Sequence, residues 1–529
     1  MDTATGRVRV RKSPEVVKGK LALQVLKRVA VLSMVGGAGS ALAQTVTVTP
    51  SVETRLSWTD NVGASAQDKR QDWFAEIAPG IAISRESGRF SGRLNAELRN
   101  VAYASESDRN TSFVALQGRG QLEAVENLLF VDMDAAISRN NLSAFTGRSS
   151  VDTLNTDEND ETRTWSLAPR MQFRYGDAEG SLGYLSRWVD SGGSALGQQR
   201  LSQWTAQAGS PSAFRVLGWG LNYSRSDSDY GSSTTSGGSN SVNKEVGRAT
   251  LYINVTPQFR LRAIGGRESN DYANGRKESG TIYGGGFDWN PTERTIIEAT
   301  TEERIFGRGY DFRFNHRMAR SSWNLQFSKD FSSGLESFGQ SRQLTQQERL
   351  CAQIAALVSS DPAQQEQFYQ SCLVALGFDP FAARQTLRSN AQFIDKSMQA
   401  GFSLTGVRNV LSFTLMRSDR TRVGSGGSLA TDDDFANTDR VLTTAGTVAL
   451  SHRLSGYSSL NFSVTRERSE GASGTNLDTR RLFMLVGLTT QLGPNTYGGL
   501  NYRYQRSDGS SAGSDFTENS ITANLGMRF

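Results

Sequence analysis

From Thr45 onward, apolar and polar positions alternate along the chain. Leu251, Ile253 and Val255 alternate with Tyr252 and Asn254, and Tyr310, Phe312 and Phe314 with Asp311, Arg313 and Asn315. Leu411, Phe413 and Leu415 alternate with Ser412 and Thr414, and Leu500, Tyr502 and Tyr504 with Asn501, Arg503 and Gln505. A period of two places the two sets on opposite faces of a strand. The connections alternate as well. Short turns are predicted near Ser87-Gly88, Val125-Glu126-Asn127, Gly176-Asp177, Ser210-Pro211, Thr256-Pro257, Asn290-Pro291, Met318-Ala319, Gly406-Val407, Ser455-Gly456 and Gly493-Pro494. Between them fall longer polar loops near 61–70, 104–111, 140–161, 190–199, 226–243, 268–277, 332–392, 419–438, 468–478 and 507–515, with one short exception near Gly307.

This spacing predicts an all-β fold, a closed antiparallel transmembrane barrel of about 22 strands with a margin of two to four, spanning residues 44–529. Strands of about 9–11 residues suffice to cross the membrane. An even count, short turns on one side and long loops on the other are the habit of bacterial outer-membrane barrels. Trp58, Trp73, Trp165, Trp188, Trp289 and Trp323 fall near predicted strand ends, where an interfacial aromatic belt would lie, whereas Trp204 and Trp219 fall nearer mid-strand.

One face of the wall carries charge of both signs. Arg93, Glu97 and Arg99 share a face, as do Asp132 and Asp134, Arg170 and Arg174, and Asp311 and Arg313; Arg503 continues the pattern. These are candidate lumen-facing residues, because an Arg on the lipid side at the bilayer centre costs about 2–4 kcal/mol.

Composition sharpens the picture at the N-terminus. Residues 1–43 hold a basic stretch, an apolar run from Val29 and a small-x-small ending at Ala41-Leu42-Ala43, which reads as a signal peptide. The formal charge of +5 belongs to that leader, which carries eight cations and two acids. The remainder is close to neutral, so the basic balance gives no reason to expect a nucleic-acid partner. The first strand begins soon after residue 43, leaving no room between them for a plug domain.

The stretch 333–390 interrupts the strand pattern. Thr345 and Glu348 form a capping box, and Leu350, Ile354, Leu357 and Val358 make one stripe of a helix. Asp361-Pro362 would open a second helix ending before Gly377. Cys351 and Cys372 would then sit on two adjacent helices, and an exported chain favours their pairing as a disulfide. By strand parity the insertion lies on the outer side, as a lid over the lumen or as a cap on the rim.

Little else suggests chemistry. With two Cys and two His in the chain, no catalytic, cofactor or metal site is expected, and the protein is not read as an enzyme. His316 and His452 fall near predicted periplasmic strand ends. The run Asp432-Asp433-Asp434 reads as a solvated loop, with Ca²⁺ binding or cation-bridged contact with lipopolysaccharide as the alternatives. Gly284-Gly285-Gly286 lies inside a strand and no helix follows, so it is read as permitting a bend rather than cradling phosphate.

The last ten residues, Ser520 to Phe529, alternate apolar positions back from a terminal Phe and resemble the signal read by the outer-membrane assembly machinery. The stretches Thr49-Pro50-Ser51 to Thr59-Asp60-Asn61-Val62 and Ile77-Ala78-Pro79-Gly80-Ile81 resemble the first strands of the PEP-CTERM system-associated outer-membrane protein family. Arg304-Ile305-Phe306-Gly307 to Phe314-Asn315-His316-Arg317, Ser328-Lys329-Asp330, Phe393-Ile394-Asp395 and Gly406-Val407-Arg408-Asn409 are similar to other parts of that family. The resemblance implies an envelope or exopolysaccharide-export role in exosortase-bearing bacteria, and it implies no binding residues. The expected function is a passive pore or export conduit; the alternative is a non-conducting structural or assembly component. Expected partners are outer-membrane lipid and lipopolysaccharide, the assembly machinery and polysaccharide-export components.

Overall fold

The computed structural model describes residues 46–141, 143–145, 159–191, 197–230, 241–272, 276–337, 389–424, 433–510 and 514–529. The leader, the capped helices of the insertion and the Cys351–Cys372 pair lie outside these residues.

Twenty-two strands, β1 (Val46–Thr59) to β22 (Phe516–Arg528) in chain order, form one antiparallel sheet. Each strand pairs with the next. The ring closes where β1 meets β22, with Ser51 opposite Arg528 and Thr59 opposite Ser520. Closure leaves no unpaired edge, which a sheet in lipid requires. No helix among the described residues is long and apolar enough to cross a membrane; the crossing is made by strands.

Side-chain direction follows the ladder. On β22, Ile521, Leu525 and Met527 are exposed on the outside, while Glu518, Ser520, Thr522 and Asn524 are buried within. The same holds on β21 (Thr496–Gly509), where Leu500 and Tyr502 point out and Asn501, Gln505 and Ser507 point in. An apolar exterior around a polar interior is the reverse of a water-soluble barrel. It places the protein in the bacterial outer membrane.

The strands run from 10 residues in β13 (Thr295–Arg304) to 17 in β6 (Asn159–Tyr175), and all but β13 and β14 (Gly307–Arg317) are longer than the crossing alone demands. Two proline-marked turns lie further along than the sequence suggests. β8 (Gln198–Phe214) continues past Ser210-Pro211, with a register shift between Ser210 and Phe214, and turns at Arg215, whose φ is 60°. β12 (Arg276–Thr292) likewise passes Asn290-Pro291 through a shift between Trp289 and Thr292. A proline cannot donate to the ladder, but an irregular register accommodates it without ending the strand. The polar stretch 268–277 is largely wall, because β11 (Phe259–Tyr272) and β12 stay paired as far as Tyr272 and Arg276.

Trp165 and Trp188 stack at 3.7 Å on neighbouring strands, and Trp58 faces Trp73. Trp219, read as mid-strand, is the third residue of β9 (Leu217–Asp229) and so lies near its short-turn end. Trp204 does stand inside its strand, packed against Tyr184 at 4.7 Å. The triple glycine marks close approach of two backbones. A Cβ on Gly284 would stand 2.2 Å from the Thr301 carbonyl oxygen, and one on Gly286 2.3 Å from that of Ala299.

Candidate functional site

Among the described residues, the inner wall and the outer mouth carry the features that bear on function. On the inner face Arg99 lies beside Glu97 at 3.3 Å and Glu76 at 3.7 Å. Arg93 shares that face of β3 (Phe90–Tyr103). Asp132 takes an ion pair from Arg170 at 2.8 Å and a hydrogen bond from Gln121 at 2.7 Å. Asp134 accepts from the Ser166 hydroxyl at 3.3 Å, and Arg174 pairs with Glu179 near the short turn. Arg313 reaches Asp311 at 3.3 Å and Glu298 at 3.6 Å. Arg503 also lies on the inner face, opposite Ser520. The wall is thus studded with charges that neutralise one another locally.

At the outer mouth, segments from three connections fold inward. The link after β15 (Ser321–Ser333) begins with the short helix α1 (Gly334–Ser337), whose Leu335 is fully buried against Val189, Leu201, Tyr230 and Val242. Glu336 accepts from Ser226 at 3.0 Å and pairs with Lys244 at 3.5 Å, so α1, which follows β15, bonds back to β9 and β10 rather than to its neighbours in sequence. The same link ends at residues 389–391, where Asn390 accepts from Gln199 at 2.6 Å. The connection after β17 (Asn409–Arg422) carries α2 (Asp434–Asn437), capped by the Asp433 carboxylate on the Phe435 amide. Residues 143–145, after β5 (Leu129–Asn141), complete the set. Phe145, Ala391, Phe393, Phe435 and Val441 pack together there, with the Phe393 and Phe435 rings stacked at 5.7 Å.

Two carboxylates hold these segments to one another. Asp433 accepts from the Ser389 hydroxyl at 2.8 Å and the Asn390 amide at 3.0 Å. Asp434 accepts from the Ala144 amide at 2.7 Å and the Ser143 hydroxyl at 2.5 Å. Burial drives the Asp434 carboxyl up to about 6 against those hydrogen bonds; Asp433 adds to the rise and Arg481 opposes it. Arg481, on β20 (Asp478–Gly493), donates to the Ala144 carbonyl at 2.9 Å and pairs with Glu467 at 2.6 Å. Burial likewise pushes the Tyr230 hydroxyl up to about 12, and the Glu336 and Asp433 carboxylates add to this. The acidic run is therefore no solvated loop at these two positions: both carboxylates are buried fasteners, while Asp432 lies outside the described residues. No cluster of metal-ligating side chains occurs among the described residues.

Beside α1 lies a lumen cavity of about 640 Å³. It is bordered by Leu185 and Arg187 of β7 (Ala178–Ser191) and by residues of β8, β10 (Ser241–Thr256) and β13 through β16 (Gln392–Thr405). A second space of about 380 Å³ shares Arg248, Thr300 and Glu302 with it. Periodicity does not mark Arg187, because near the mouth both faces of β7 are apolar: Leu185 and Val189 pack inward while Tyr184 and Trp188 pair outward. Nor does it mark Asp433 and Asp434, whose partners are 44 and about 290 residues away.

His316 bonds through Nδ1 to Thr295 at 2.8 Å and His452 through Nδ1 to Asn409 at 2.5 Å, both at the short-turn ends of their strands. The Phe529 amide donates to Pro50 at 2.9 Å, beside the closing pair of strands.

No protein-family model matches the chain, and no curated protein sequence matches it. Among solved structures it is similar to the siderophore receptor PirA of Acinetobacter baumannii, at 9% identity and TM-score 0.47, covering 92% of this chain and 81% of that one. It is also similar to the FrpB iron transporter of Neisseria meningitidis, at 10% identity and TM-score 0.47, covering 91% and 82%. A mutant ferric enterobactin receptor of Pseudomonas aeruginosa stands at 12% identity and TM-score 0.43, covering 90% and 80%.

Proposed function

We propose that this outer-membrane barrel is a conduit for a polar solute, narrowed at its outer mouth by the inward-folded connections, and that it performs no chemistry on what it carries. The observation behind this reading is the polar-lined cavity inside a closed ring, directly beside segments anchored by a few side-chain bonds. The short-motif resemblance to the PEP-CTERM system-associated family is the support for reading the conduit as part of an exopolysaccharide-producing envelope. In that setting it would contact lipopolysaccharide outside, the assembly machinery during insertion and polysaccharide-export components within.

A non-conducting envelope component is the second reading. The apolar packing of Phe145, Phe393, Phe435 and Val441 favours it, because such a cluster seals rather than passes water. Planar-bilayer conductance of the refolded chain decides between the two, measured with and without residues 338–388. Steady steps from the intact chain support an open conduit. Steps only after deletion make the insertion its gate. Silence from both, with the barrel shown to be folded, leaves the structural role.

A further inference from the structure

The cations around the 640 Å³ cavity are not equivalent. Lys244 is paired with Glu336 at 3.5 Å, Arg248 with Glu302 at 2.9 Å, Arg304 with Glu268 at 2.6 Å and Arg313 with Asp311 at 3.3 Å. Lys329, also at its border, lies over the Phe306 ring at 5.5 Å. Arg187 is different. It is 8% exposed, borders the cavity, and has no hydrogen bond or ion pair among the described residues. Its lateral neighbours on the inner face are Ser166 and Leu201, and the acid of that row, Asp134, is two strands away. A guanidinium this buried with no carboxylate in contact, Asp134 acting on it only from a distance, is an expensive arrangement unless an anion arrives to complete it. Gln203, Thr300, Gln326, Ser328 and Ser397 border the same cavity and offer donors and acceptors suited to hydroxyl groups. The volume falls within the range of about 300–1,000 Å³ typical of ligand pockets.

We infer that this cavity is a binding station for an acidic, hydroxyl-bearing solute, whose carboxylate or phosphate is taken by the Arg187 guanidinium. The planar fork of Arg matches either oxyanion through two parallel hydrogen bonds. This rests on the conduit reading, since it names the chemical class that would pause inside the lumen.

The test is isothermal titration calorimetry on the full chain in detergent micelles, with glucuronate, glucose 6-phosphate and glucose as probes. The two acids should bind at least about tenfold more tightly than glucose, the scale of one charge-assisted hydrogen bond. The stronger of the two acids identifies the carboxylate or the phosphate source. Arg187→Gln should abolish the preference, and Arg187→Lys should keep part of it, since it retains the charge without the fork. Equal binding of glucose and the acids, or a preference surviving in folded R187Q, overturns the inference. If R187Q does not fold, undiminished affinity in folded R187K does so instead. A chain that conducts without acid preference loses only this inference; one that shows the preference but does not conduct loses only the conduit.

Discussion

Neutralising Asp434 should tighten the outer mouth at physiological pH. Burial holds the carboxyl at about 6, well above its ordinary value of 3.8. A folded-state value above the unfolded one means that protonation favours the closed arrangement. The stabilisation is fully present below about pH 4 and is lost as pH rises through about 6. That rise corresponds to about 3 kcal/mol withdrawn from the closed mouth once Asp434 is ionised. Charges on neighbouring elements modulate this: Asp433 beside it raises the carboxyl, and Arg481 across the mouth lowers it. Asn at 434 keeps an acceptor for the Ala144 amide and carries no charge at any pH. Asp434→Asn should therefore be better closed than wild type at pH 7.5, and the two should converge near pH 4. The assay is amide hydrogen exchange read by mass spectrometry on peptides covering 143–145 and 433–437, corrected for the intrinsic pH dependence of exchange. Protection in the wild type should fall between pH 5 and 7.5 and stay level in D434N. The same fall in D434N, or wild-type protection that rises with pH, would refute the reasoning.

Other perturbations separate the mouth from the wall. Phe435→Ala removes a ring buried against Phe393, a change worth about 3–5 kcal/mol in a packed cluster; exchange at 433–437 should rise sharply while the barrel's thermal unfolding shifts little. Arg481→Gln leaves Glu467 without that pair and the Ala144 carbonyl without that donor, and breaking such a buried pair costs about 3–5 kcal/mol; the 143–145 peptide should lose protection. Gly284→Ala should prevent folding, seen as loss of the heat-shifted band on a gel, whereas Gly265→Ala, with open space at its Cβ, should fold normally. Phe529→Ala should slow insertion in cells, read as the fraction of chain that remains protease-sensitive.

The barrel is legible in the sequence because its physics is local. Each strand writes its own two faces, and an apolar exterior lets the inward polar positions mark the other face without ambiguity, as Glu518, Ser520 and Thr522 do on β22. Errors arise where that local rule is overruled. Pro211 and Pro291 look like breakers, yet an irregular register absorbs each and the strand runs on. Glu268 and Asn270 look like loop and are inner wall, the first held by Arg304. The mouth is the least legible part. Asp433 and Asp434 read as solvent-facing because nothing near them in sequence shows that Ser389 and Ala144 arrive from other connections to bury them. Arg187 hides between inward Leu185 and Val189 and outward Trp188, where both faces of the strand are apolar and period two carries no information.

Hydroxyl pairs line the interior in lateral steps: Ser57 with Thr522, Ser322 with Ser403, Ser328 with Ser397 and Thr447 with Thr465. Each hydroxyl both donates and accepts, so a neighbour can be exchanged for a passing molecule with little net change in bonding. Such a wall offers low friction. In the proposed conduit, a solute sliding along it would trade one partner for the next in small, nearly isoenergetic steps, and its residence time would be set at the proposed Arg187 station.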